Sequence, residues 1–76
     1  MSEGQAAAVA KLARMANQIA RAFATQPRDE ALANTAAHIK SYWTPKMRRD
    51  LSARVDDGET PLDPLARAAL EKLANP

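Results

Sequence analysis

The chain contains no cysteine. Without thiolates it forms no disulfide, ligates no iron–sulfur cluster through sulfur and builds no zinc–thiolate centre. Its two glycines, Gly4 and Gly58, stand far apart, so no glycine-rich loop is available to cradle a phosphate. Charge of one sign does not dominate: 11 Lys and Arg face 9 Asp and Glu, for a net charge of +2. The basic residues Lys46, Arg48, Arg49 and Arg54 are interrupted by Asp50 and Asp56, too mixed a pattern for a nucleic-acid footprint. No apolar run approaches the length of a membrane span. The first residues include Glu3 and no basic-then-apolar signal, so the expectation is a cytoplasmic protein with neither a membrane nor a nucleic-acid partner.

What the chain has in quantity is alanine. It makes up about half of the hydrophobic residues in a chain of 76. Alanine favours helix and adds little core volume. A chain this short buries only about 60% of its unfolded surface, so marginal stability in isolation is expected. From Ala6 to Thr25, Leu12, Met15, Ile19 and Phe23 recur at helical spacing, with Lys11, Arg14, Asn17, Gln18 and Arg21 off that stripe. This is a first helix, and Pro27 ends it or begins the next. Asp29 and Glu30 suit a helix N-terminus. Leu32, Ala36, Ile39 and Trp43 then mark a second helix that stops before Pro45. Thr44-Pro45 supplies a cap and a first-position proline. Met47, Leu51 and Val55 give a third helix, broken at Asp57-Gly58. Asp63-Pro64 repeats the device, and Leu62, Leu65, Ala69, Leu70 and Leu73 mark a fourth helix, with Asn75-Pro76 ending the chain. The expected fold is all-α: a small bundle of three to four short helices in a single domain over residues 1–76, frayed over 1–5.

No catalytic set assembles from these residues. A nucleophile, a base and an orienting group are needed, yet there is one histidine, His38, with Asn34 and Tyr42 at helical distance. It reads as a surface or interface residue, because metal and acid–base sites require several convergent groups. Asp56, Asp57 and Glu59 lack the spacing of a calcium loop and read as a solvated turn. Trp43 has two readings, filler for a small core or an anchor at an interface, since Trp and Arg are enriched in binding hot spots. Lys46, Arg48 and Arg49 read as a solvated face or as a docking group for an acidic surface, Arg being suited to grip carboxylates.

Two blocks carry a resemblance. One is Leu12-Ala13-Arg14-Met15-Ala16-Asn17-Gln18-Ile19-Ala20 followed by Phe23. The other is His38-Ile39, Tyr42-Trp43-Thr44-Pro45, Met47-Arg48 and Leu51, with a weaker third block at Leu62-Asp63-Pro64-Leu65. In order and spacing these resemble the delta subunit of NAD-dependent formate dehydrogenase. The family pattern carries Asp, Phe and Arg where this chain has Thr44, Tyr42 and Lys46; the capping, aromatic and basic characters are kept. The resemblance implies a small non-catalytic accessory subunit. It would dock on the large catalytic (alpha) subunit of a cytoplasmic complex and support its assembly or stability. Other subunits of such a complex carry a molybdenum or tungsten bis-pterin centre, iron–sulfur clusters, FMN and the NAD site, and this chain is expected to hold no cofactor. The partner-binding residues expected are Tyr42, Trp43, Met47 and Arg48, with Asn17. A transient maturation factor for metal-cofactor loading is an alternative, and a free-standing helical nucleic-acid binder read through the third helix is a more distant one.

Overall fold

Alanine on one face of a helix lets a neighbouring backbone come close, and this chain uses that device on three helices. A computed structural model describes residues 3–55 and 60–74. They form α1 (Glu3–Phe23), α2 (Arg28–Tyr42), α3 (Pro45–Ser52) and α4 (Pro64–Ala74), with no strand among them. The all-α bundle expected from the sequence is the fold found. The Asp57-Gly58 break, the acidic turn of Asp56, Asp57 and Glu59, and the terminal Asn75-Pro76 lie outside the described residues.

The helix ends follow from local chemistry. The backbone of α1 is helical from Glu3, three residues earlier than the apolar stripe indicates, because the alanines that follow favour helix. Pro27 stands at the N-cap of α2 in an extended conformation and makes no side-chain cap; Asp29 and Glu30 complement the first turn instead. Thr44 caps α3 through its side chain, Oγ1 accepting from the Met47 N–H at 3.2 Å, with Pro45 in the first turn. Asp63 does the same for α4, its Oδ1 accepting from the Leu65 N–H at 2.9 Å. Helix α3 ends at Ser52, so Val55, expected on its stripe, lies in the turn that follows and packs half-buried against the core.

The most extensive packing is between α2 and α4, with α1 laid against both and the short α3 touching α1 and α4. Val9, Leu12, Ala13, Ala16 and Ala20 form the buried face of α1. Ala31, Thr35, Ala36 and Ile39 form that of α2, Leu51 that of α3, and Leu65, Ala66, Ala69 and Leu70 that of α4. The buried face of α1 is therefore turned from the stripe the large residues mark. Leu12 is buried, but Met15, Ile19 and Phe23 are only half-buried and flank the core. Close approach through alanine leaves no room for the larger side chains at the seam, so they cover its edge.

Asn17 ties the two ends of the chain together. Its Nδ2 donates to the Pro61 carbonyl at 3.0 Å, and its Oδ1 accepts from the Asp63 N–H at 2.7 Å. One side chain thus satisfies a donor and an acceptor of the segment that leads into α4, a segment with no helix or sheet partner of its own.

Candidate docking groove

The large residues displaced from the seam of α1 form one wall of a groove. Met15, Gln18, Ile19, Ala22 and Phe23 line it from α1. His38 and Tyr42 line it from α2, Trp43 from the α2–α3 junction and Met47 from α3. The groove encloses about 480 Å³ and is open to solvent. Tyr42 stands at its lip, 74% exposed, the one large hydrophobic side chain left so open among the described residues.

The junction that shapes the groove is held locally. The Trp43 N–H donates to the Ile39 carbonyl at 2.8 Å, closing the last turn of α2. Trp43 and Thr44 then take extended backbone conformations, as a residue before proline must, and the chain turns into α3. The turn drops the Trp43 ring into the core at 5% exposure, where it closes the groove floor, and brings Met47 round to the same side. Three rings bridge the end of the groove: Phe23 meets His38 edge-on with centroids 6.2 Å apart, and His38 lies 4.5 Å from Tyr42 at a tilt of 35°. His38 therefore packs between aromatic neighbours. Among the described residues no group of three or more His, Cys, Asp and Glu side chains is placed to hold a metal ion.

Of the five residues singled out from the sequence, the structure brings Tyr42, Trp43 and Met47 together and separates the other two. Arg48, one position beyond Met47 and so about 100° round the helix, faces a different cavity of about 230 Å³ lined by Pro45, Arg49, Ser52, Leu70, Leu73 and Ala74. Its Nε is buried and has no hydrogen-bond partner. Asn17 lies on the far side of α1 from the groove, with both polar atoms engaged on the connector into α4. Trp43 is buried, as the reading as core filler expects, and its ring lines the groove floor. Lys46 pairs with Asp50 at 2.6 Å along the exposed side of α3. The groove residues that sequence reasoning did not single out are Met15, Ile19, Ala22 and Phe23, together with His38 and Gln18. The signal was the width of the apolar arc on α1, where an alanine face and a large-residue face lie side by side, more than one neighbouring helix covers.

Fold and groove define a small all-α domain with one wall of large apolar side chains left open. A family model described as the NADH-dependent formate dehydrogenase delta subunit, FdsD, matches residues 11–70. That stretch contains the whole groove, and the chain belongs to this delta-subunit family. No curated protein and no solved structure matches the chain. Among the described residues no helix is long and apolar enough to cross a membrane.

Proposed function

We propose that this chain is an accessory subunit of a cytoplasmic NAD-dependent formate dehydrogenase, without catalytic chemistry of its own. It docks on the large catalytic (alpha) subunit and supports the assembly or stability of the complex. Family membership carries this reading, and the open apolar groove supports it, because a half-covered wall of large side chains is what a partner subunit buries. Tyr42, Trp43 and Met47 supply the centre of the contact. Arg48 extends it to the adjoining face, where the guanidinium group is suited to meet a carboxylate. Asn17 contributes by fixing the connector on which α4 is placed. The molybdenum or tungsten centre, iron–sulfur clusters, FMN and NAD site belong, in this reading, to the other subunits.

The test is to purify the enzyme from cells with and without this chain, measure metal and iron content, and normalise formate oxidation to loaded centres. The expected outcome is that the chain co-purifies with the complex. Its loss lowers the yield of loaded enzyme while turnover per loaded centre stays nearly normal. A collapse of turnover with loading and integrity intact would overturn the assembly role. A chain that raises loading but is absent from the finished complex would instead be a maturation factor.

A further inference from the structure

The two segments that build the groove are free of negative charge. No Asp or Glu occurs between Gly4 and Arg28, or between Ala31 and Arg49, and every groove-lining residue falls within those two stretches. The acids that flank these stretches in sequence are set aside. Asp50 is paired with Lys46 and lines a different cavity, with Val9 and Leu12. Glu30 sits in the first turn of α2, eight residues or about 12 Å along the axis before His38. The open lip of α1 is basic. Gln18 lines the groove, and its neighbours on the helix surface at i−4 and i+3 are Arg14 and Arg21, with Lys11 one turn further back. All three are exposed and form no ion pair among the described residues. An apolar floor beside an unneutralised basic lip is a complementary surface for one kind of segment.

We propose that the groove receives an acidic amphipathic helix of the partner subunit, apolar side chains down and carboxylates against Lys11, Arg14 and Arg21; this rests on the docking reading above and names its chemistry. From Met15 to Phe23 the groove runs eight residues along α1, about 12 Å or just over two turns, which suits anchors at i, i+3 or i+4, and i+7 of an added helix. A channel between two packed helices is also where a third helix seats its ridges. The floor offers a small ligand few buried polar groups to orient it. A second copy of this chain has no matching helix. Each of α1, α3 and α4 carries more Lys and Arg than Asp and Glu, and α2 carries Asp29 and Glu30 against Arg28 and Lys40.

The experiment uses the full chain and, as its probe, formate dehydrogenase complex purified without this subunit. Two variants are compared with the parent, each checked for unchanged helicity and melting. One is Ala22→Asp with Tyr42→Ser, which polarises the groove at two exposed positions. The other is Lys11→Glu with Arg14→Glu and Arg21→Glu, which inverts the lip. Each is expected to weaken binding about tenfold or more, and the loss in the second is expected to shrink as salt is raised. A photoreactive phenylalanine analogue in place of Tyr42 is expected to cross-link a partner peptide with Asp or Glu at helical spacing. Parental affinity in both variants would overturn the groove while leaving docking through another face intact. Cross-links to a basic or uncharged segment, or to a second copy of this chain, would overturn the stated chemistry. No binding by the parent chain would remove the docking reading beneath it as well.

Discussion

At the scale of single residues, the two aromatic side chains at the end of α2 have opposite meanings. Trp43 is buried and shapes the groove floor, so truncating it removes core as well as surface, and its loss from a complex would not by itself report a contact. Tyr42 next to it is exposed, with its ring against His38, and its truncation removes little of the core. Thr35 is fully buried, yet its hydroxyl has no hydrogen-bond partner. A buried unsatisfied hydroxyl costs stability that a methyl in its place would not. Thr35→Val keeps the β-branched shape and a similar helix propensity. It should raise the unfolding free energy by about 0.5–1 kcal/mol, read as a higher urea midpoint at unchanged slope. A lower midpoint would mean the hydroxyl does find a partner.

At the scale of elements, α3 depends most on its end. It has eight residues and one fully buried side chain, Leu51, so neither length nor packing sustains it strongly. The Thr44 side chain on the Met47 N–H and the proline at its first turn are what start it. Thr44→Ala should cost about 1 kcal/mol and loosen Met47 within the groove, checked by denaturant titration and by faster amide exchange at Met47. The same element shows what was legible beforehand. Thr44-Pro45 and Asp63-Pro64 are local devices, written in adjacent residues, and both helix starts lie where those pairs place them. The face that α1 buries was not legible, because it is decided by how close α2 and α4 come, and alanine carries no marker of that distance. Met15, Ile19 and Phe23 look like core by size and spacing but stand at its edge. The groove was half visible for the same reason: Tyr42, Trp43 and Met47 are neighbours in sequence, whereas its α1 wall depends on packing. Helical spacing alone already sets Met47 and Arg48, adjacent in the chain, on different faces of α3, and they open on separate cavities.

At the scale of the whole molecule, half of the buried hydrophobic residues among the described ones, seven of fourteen, are alanine. The core is therefore thin, and the larger side chains are distributed around it rather than within it. Filling the open side would convert that perimeter into interior, and a partner that binds only the folded chain also stabilises it by mass action. The groove is thus both the place where a subunit would be recognised and the place where this small domain is least complete.

The Asn17 tie spans more than half of the chain, joining positions 44 and 46 residues apart. A contact of that sequence separation requires a long loop to close first, and so forms late among the events of folding. Asn17→Ala leaves the Asp63 N–H and Pro61 carbonyl without this partner and should cost about 1–2 kcal/mol at equilibrium. Nearly all of that loss should appear as faster unfolding, with the refolding limb of the chevron little changed and a φ-value below about 0.3. A φ-value near one would place the tie in the nucleus. The bonds that hold α4 in register thus act as a latch on the lifetime of the native state, set by how quickly the connector lets go of one asparagine.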